Sequence, residues 1–136
     1  MAPESAPAFL FYVQDFLTDA RSAGMSLEVR GAYITLLAYE WREGALPVGP
    51  EALAALLHIT AAQFARLWPQ LADVFTETED GRLVNERLER ERRHQRQREA
   101  ARRRLEDVRT ARARAGARAR WGKAGAFAAL LLQAFN

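Results

Sequence analysis

The chain has 136 residues, 49% of them hydrophobic and none of them cysteine, which fits one domain with an appendage and excludes disulfides, thiolate zinc sites and cysteine nucleophiles. Its net charge of +3 combines −6 over residues 1–85 (five basic, eleven acidic) with +9 over residues 86–136 (fifteen basic, six acidic). This asymmetry indicates a basic extension that meets a polyanionic partner, unless the charges only keep a helix in solution.

The N-terminal residues Met1–Ser5 lack a basic region followed by an apolar core, so they do not read as a signal peptide. The longest mainly apolar stretch, Ala124 to Phe135, is shorter than the ~20 residues that span a bilayer. We therefore expect a cytoplasmic protein, nucleoid-associated in a bacterial host, with no membrane partner.

Residues 8–17 (AFLFYVQDFL) are rich in aromatic and aliphatic side chains and predict a buried strand, or a strand leading into a helical turn. Residues 19–25 predict a loop. Ser26 predicts the N-cap of a first long helix that stops near Gly44. Its buried face is predicted to hold Leu27, Ile34, Leu37, Ala38 and Trp41, and Gly31 within it predicts close packing against another element.

A helix-turn-helix is predicted next. Pro50 lies in the first turn of one helix, whose buried stripe is Leu53, Leu56 and Leu57. Thr60 and Gln63 match a capping box that begins a second helix over residues 61–72. That helix is predicted to bury Phe64, Leu67, Trp68 and Leu71, and Pro69 should kink or split it.

Two short β-compatible runs, residues 74–77 and 82–85, flank Asp80-Gly81 and predict a hairpin. A hairpin directly after a helix-turn-helix is the order of elements in a winged helix. The predicted fold class is therefore mainly α: a winged-helix-like domain over residues 1–88 with a short β-hairpin wing, followed by a long basic C-terminal helix.

No proline or glycine occurs from Glu86 to Ala113, which predicts one long helix without a heptad seam. Gly116, Gly122 and Gly125 predict breaks after it. Residues 89–123 form the predicted arginine-rich helix and basic arm. The apolar segment 124–136 is expected to fold back, to fray, or to join another subunit and so form a homo-oligomer.

Four segments of this sequence resemble a known family: FYVQDFLTD (11–19), SLEVRGAY (26–33), Leu36-Leu37 and EGALP (43–47). Roughly the first 95 residues resemble the YdaU-like family of phage and prophage proteins, and RARAGARARW (112–121) resembles the basic region that often trails this domain. The resemblance implies a winged-helix-like fold in mobile-element genomes, linked to replication initiation or gene control. It names no catalytic residue.

The sequence contains no recognisable catalytic set. Asp15 and Asp19 could share a metal, but such residues more often cap a turn. His58 and His94 are not at metal-ligand spacing. We therefore expect a non-enzyme without metal or cofactor.

DNA binding is the predicted function, in replication initiation or transcriptional control, with duplex DNA as partner. The second helix of a helix-turn-helix presents its N-terminal residues to base edges, and arginines contact phosphate. The alternative is a protein–protein adaptor that recruits a replication or host factor; RNA binding stays open. The predicted DNA-binding residues are Thr60, Ala62, Gln63, Arg66, Arg82, Arg109, Arg112, Arg114, Arg118, Arg120 and Lys123.

Overall fold

The computed structural model describes residues 6–18 and 24–135. This part of the chain is mainly α-helical with a two-stranded antiparallel sheet, which confirms the coarse fold class. In chain order the elements are α1 (Val13–Thr18), α2 (Leu27–Glu43), α3 (Pro50–Leu57), α4 (Ala61–Leu71), a 3-10 turn (Ala72–Val74), β1 (Thr76–Glu77), β2 (Leu83–Val84) and α5 (Glu86–Ala134).

Both ends of α2 are those that the sequence predicted. The Ser26 hydroxyl accepts the N–H of Val29 at 3.2 Å, which satisfies a donor that a helix start leaves unpaired. Gly44 adopts φ 90° as the C-cap and donates its N–H to the Glu40 carbonyl at 2.7 Å. Only glycine enters this left-handed region without steric cost, so the helix ends there.

The buried face of α2 differs from the prediction. Leu27 is 84% exposed, Ile34 is 41% exposed and Ala38 is exposed. The residues that are buried are Val29, Ala32, Leu36, Leu37, Glu40 and Trp41. Apolar residues occur on several sides of this helix, so their spacing alone does not select a face. Packing against α3, α4 and the start of α5 selects it.

The predicted close packing at Gly31 is wrong. This residue is exposed, and a Cβ built on it would meet nothing within 4 Å. The structure therefore offers no steric reason for glycine here.

The two short helices α3 and α4 join through residues 58–60, as predicted. Phe64, Leu67 and Leu71 of α4 are buried against Leu53 and its neighbours. Trp68 is half-buried on the same side, and its ring stacks on Phe64 at 5.2 Å between centroids.

Pro69 does not split α4, which runs on to Leu71. A proline removes one hydrogen bond and crowds the carbonyl four residues earlier. Because Pro69 lies in the last turn, the chain has only to tighten into the 3-10 turn that follows.

The predicted hairpin is confirmed, with Thr76 opposite Val84 and Glu77 opposite Leu83. Gly81 takes φ 75° in its turn. A third segment, unforeseen from the sequence, pairs with β2: Leu46 donates its N–H to the Leu83 carbonyl at 2.8 Å and accepts the Leu83 N–H at 2.9 Å. These two hydrogen bonds hold the hairpin against the connection between α2 and α3.

The strand predicted within residues 8–17 is wrong, whereas the helical turn predicted to follow it in one of the two alternatives is present. Residues 6–12 are irregular and residues 13–18 form α1. Side chains of other helices, rather than a β-ladder, hold this segment: the Trp41 indole donates to the Ala6 carbonyl at 2.8 Å, and Gln95 donates to the Ala8 carbonyl at 3.3 Å. The predicted loop at 19–25 lies mostly outside the described residues.

Asn85 caps α5 and joins it to the core. Its side-chain oxygen accepts the N–H of Leu88 at 3.0 Å, and its amide nitrogen donates to the Val74 carbonyl at 2.8 Å. Its backbone N–H donates to Oε1 of the fully buried Glu40 at 2.8 Å. Burial, followed by a side-chain hydrogen bond with Glu89, raises the pKa of Glu40 to about 9.

Arg92, two helical turns after Asn85, is buried against the C-terminal end of α2. Its guanidinium donates to the carbonyls of Trp41 at 3.1 Å and Glu40 at 2.9 Å, and to the carboxylate of Glu89 at 3.2 Å. It also lies over the Trp41 ring, 4.6 Å from the centroid. A cation at the carboxyl end of a helix is favourable because the helix dipole is negative there. The Glu40 carbonyl accepts both the Gly44 N–H and the Arg92 guanidinium.

The helix α5 continues to Ala134, so the breaks predicted at Gly116, Gly122 and Gly125 are wrong. Each glycine destabilises a helix by ~1 kcal/mol relative to alanine. The surrounding alanines and arginines are strong helix formers, and they outweigh this cost. The chain divides into two compact units, residues 1–95 and 96–136, where the sequence suggested three segments with limits at 88 and 123. Within the described residues, we find no helix with the length and apolar character needed to cross a membrane.

Candidate nucleic-acid interface

The first turn of α4 carries four of the predicted contact residues. Thr60, Ala62 and Arg66 are exposed and Gln63 is half-buried. They lie together because Phe64, Leu67 and Leu71 occupy the opposite, buried face of the same helix. The structure therefore places these four side chains on one accessible side of α4.

Two of these four residues also hold the helix end together. The Thr60 hydroxyl accepts the Gln63 N–H at 3.1 Å, and Gln63 Oε1 accepts the Thr60 N–H at 2.9 Å. This is the reciprocal capping box that the sequence predicted. A bidentate contact to adenine uses both the oxygen and the nitrogen of a glutamine amide. Gln63 would have to release its cap to make one, whereas Arg66 takes no part in the cap.

Arg82 has a structural contact as well as an exposed position. Its guanidinium donates to the Ala45 carbonyl at 2.9 Å, across the bridge between the hairpin and the α2–α3 connection. The hairpin itself closes with the Thr78 N–H on the Arg82 carbonyl at 2.7 Å. Arg82 thus helps to orient the hairpin through Nη2. Its other guanidinium nitrogens, Nη1 and Nε, are the donors that could reach a phosphate.

The six predicted cations of the basic arm all lie on α5 and are exposed: Arg109, Arg112, Arg114, Arg118, Arg120 and Lys123. Because the helix is unbroken, each residue advances 100° around its axis. Four of the six, Arg109, Arg112, Arg120 and Lys123, then fall within about 80° of arc. Arg114 and Arg118 lie on the opposite side.

Arg102 belongs to the same side as these four and was missed by the sequence reasoning. It is exposed and lies two helical turns before Arg109. We call Arg102, Arg109, Arg112, Arg120 and Lys123 the cationic stripe. The signal that could have found it is the 3.6-residue period, applied once the glycines are accepted as helical.

The arc of the cationic stripe contains no acidic residue. Glu106 and Asp107 are the only acidic residues between 100 and 135. At 100° per residue Asp107 lies on the opposite side, whereas Glu106 lies about 40° beyond the edge of the stripe, at neighbouring helix positions to Arg102 and Arg109. The stripe extends over about 32 Å, since each of its 21 residue steps rises 1.5 Å. A row of guanidinium groups on one face of a helix is suited to a polyanion whose charges are also arranged in a row.

Metal chemistry has no visible support in residues 6–18 and 24–135, where no cluster of three or more histidine, aspartate or glutamate side chains could hold an ion. Asp15 and His58 are exposed, and His58 forms the left-handed C-cap of α3 at φ 55°. Asp19 lies outside the described residues.

Compared with protein-family models, with curated proteins and with solved structures, the chain finds no match in any of the three.

Proposed function

We propose that this protein binds nucleic acid, in the first instance duplex DNA, through the cationic stripe of α5. The observation that carries the proposal is the row of five exposed cations that share about 80° of arc on one helix, an arc in which no acidic residue between 100 and 135 falls. The opposite side also carries four arginines, but Asp107 lies among them.

Residues 1–95 act in this proposal as a winged-helix reader. The order α3, α4, β1, β2 and the exposed start of α4 support that assignment. Arg66 would contact a guanine edge and Ala62 a thymine methyl, while Thr60 and Gln63 keep the helix start in shape. The resemblance to the YdaU-like family extends the proposal to a phage or prophage protein acting in replication initiation or transcriptional control.

The reader by itself carries the wrong charge for DNA. Residues 1–85 have a net charge of −6, which phosphate repels. Affinity therefore comes from the cationic stripe and is independent of base sequence, and any specificity comes from the start of α4. Contacts to phosphate release counterions, so binding weakens steeply as salt is added.

The test compares two full-length variants with the same loss of charge. One replaces four stripe residues (Arg102, Arg109, Arg112 and Arg120) with glutamine, and the other replaces four arginines on the opposite side (Arg103, Arg104, Arg114 and Arg118). Glutamine and arginine have similar helix propensity. Five engaged stripe cations predict a log–log salt slope of about −4 to −5 on duplex DNA. The salt slope of the stripe variant should fall to about −1, because only Lys123 remains, and the control variant should keep most of the wild-type slope.

Gel-shift titration at several salt concentrations, with duplex DNA, single-stranded DNA and RNA probes, measures the affinity of each variant and the dependence of that affinity on salt. Equal slopes for the two variants would mean that the stripe is not the contact surface. A tighter complex with RNA than with either DNA probe would mean that RNA, and not DNA, is the nucleic acid that this protein binds.

The second candidate function is a protein–protein adaptor, and an exposed apolar patch in the acidic unit favours it. Leu10, Val13 and Leu17 are more than half exposed there, and Phe11 and Tyr12, which contact Phe16 and Glu91, are partly exposed beside them. Patches of this kind mark interaction surfaces. The adaptor becomes the better account if the full chain binds none of the three probes in dilute buffer.

A further inference from the structure

The end of α5 presents bulky apolar side chains to solvent. Trp121 is 78% exposed, Phe127 is 65% exposed and Phe135 is 87% exposed. At 100° per residue these three, with Leu131 and Leu132, fall within about 140° of arc. We call these five residues the apolar face. The remaining arc between residues 121 and 135 holds mostly small side chains (Gly122, Gly125, Ala126 and Ala129), together with Gln133, Lys123 and the 64% exposed Leu130.

The size of the apolar face calls for a partner. A fully buried aromatic side chain covers about 150–250 Å², so the three aromatic residues alone present roughly 460 Å². Monomeric proteins rarely expose patches above a few hundred Å². The two leucines enlarge the face further. A helix with five bulky apolar side chains on one face and mostly small side chains elsewhere has one face that is suited to burial.

We infer that the apolar face pairs with the apolar face of a second copy of this chain, the two helices running antiparallel. Two such faces together can bury about 1,000 Å² or more, which approaches the size of a stable protein–protein interface. Residues 124–135 carry no charge. The charged groups nearest to the contact are Arg120 and Lys123 at its Trp121 end, whose long side chains can keep their charges in water.

The orientation follows from charge. In a parallel pair, the six cations of residues 109–123 would lie beside the same six of the other chain, about 10 Å apart, close to the Debye length of ~8 Å. In an antiparallel pair centred on Ala128, Trp121 lies near Phe135 of the second copy. The basic stretches then leave the contact in opposite directions. Repulsion is least in this arrangement.

The cationic stripe lies largely outside the proposed contact. Four of its five cations precede residue 121, and the centre of its arc is roughly 90° from the centre of the apolar face, although the edges of the two arcs overlap near Arg120 and Phe127. Self-association and polyanion binding therefore use largely different surfaces, and this inference does not depend on the proposed function.

The test is the oligomeric state of the full chain, measured by analytical ultracentrifugation across a concentration series. We expect a monomer–dimer equilibrium for the wild type. Phe127→Gln with Leu131→Gln should weaken the dimer by about 100-fold or more, because each copy loses two buried apolar side chains. The matched control, Ala126→Gln with Ala129→Gln outside the apolar face, should leave it nearly unchanged. Circular dichroism of both variants checks that the helix is retained.

Orientation has its own readout, because the chain has no cysteine and a single introduced thiol can be labelled. Spin labels at Thr110→Cys should lie about 54 Å apart along an antiparallel pair and about 10 Å apart in a parallel one. A short distance would overturn the antiparallel arrangement.

Three results would overturn the inference as a whole. The wild type could stay monomeric at the highest concentrations, or both double variants could dimerise as the wild type does. The third is a monomer that binds vesicles containing anionic lipid through Phe127 and Leu131, which would assign the apolar face to a membrane surface.

Discussion

Asn85 donates its backbone N–H to the buried carboxyl of Glu40 at 2.8 Å, across 45 residues of sequence. The contact joins the last turn of the core helix α2 to the residue that caps α5. The second oxygen of this carboxyl, Oε2, and Oε1 of Glu89 are both buried, and neither has a partner if both groups are ionised. A proton on Glu40 provides the missing donor, which agrees with the raised pKa of this group.

Stability should therefore depend on pH through Glu40. Its pKa is 4.5 without perturbation and about 9 in the fold, so between these values the folded chain holds a proton that the unfolded chain has lost. The stability that protonated Glu40 contributes is complete below pH 4.5 and is lost as pH rises towards 9. Over that range the free energy of unfolding falls by up to about 1.4 kcal/mol per pH unit. Urea unfolding at pH 5, 7 and 9 measures it.

The Glu40→Gln substitution should flatten that dependence. An amide keeps the acceptor for Asn85 and supplies a permanent donor towards Glu89, so no proton has to be held. We expect Glu40→Gln to exceed the wild type in stability at pH 9. The exposed Glu79→Gln should follow the wild type at every pH. A wild type that gains stability from pH 5 to pH 9 would contradict this account.

Arg92→Lys should destabilise the protein although it keeps the charge. A lysine cannot donate in a fork to the carbonyls of Trp41 and Glu40 while also reaching Glu89, and it leaves buried acceptors unpaired. We expect a loss of roughly 2–4 kcal/mol in the free energy of unfolding. The neighbouring exposed Arg93→Lys is the control. Equal urea midpoints for the two variants would show that the fork is dispensable.

Two glycine-to-alanine substitutions should act in opposite directions. Gly31 is exposed within α2, where a methyl group meets nothing within 4 Å, so Gly31→Ala should stabilise by about 0.5–1 kcal/mol. Gly81 is held at φ 75°, so Gly81→Ala should destabilise by about 1 kcal/mol or more. Thermal melts separate the two, and a loss of stability in Gly31→Ala would reveal a packing role for this glycine.

Gln63 offers a way to separate helix capping from base contact. Gln63→Glu keeps an acceptor for the Thr60 N–H, so its stability should stay within about 0.5 kcal/mol of the wild type. Its negative charge should nevertheless weaken binding to duplex DNA, if the start of α4 meets the DNA. Gln63→Ala should lose about 1 kcal/mol of stability with the cap. DNA binding by Gln63→Glu that matches the wild type would remove the start of α4 from the interface.

The sequence by itself determined the features whose partners lie within a few residues. Ser26 begins α2 and Gly44 ends it, Thr60 and Gln63 cap α4, and the turn at Gly81 closes the hairpin. Each of these depends on a hydrogen bond or a backbone angle that the local residue types dictate. The richness of the basic arm in arginine is equally visible from composition.

Only the tertiary structure decided which side of α2 is buried, that Leu46 pairs with Leu83, and that Glu40, Asn85 and Arg92 meet. Their partners are about 40 to 50 residues away, and burial of a polar group is favourable only where such a distant partner exists. Which residues of the basic arm share a face was also visible only in the structure. Arg102, Arg109 and Arg120 share a side because α5 continues past Gly116, and the balance of helix propensities over the whole segment outweighs the cost of single glycines.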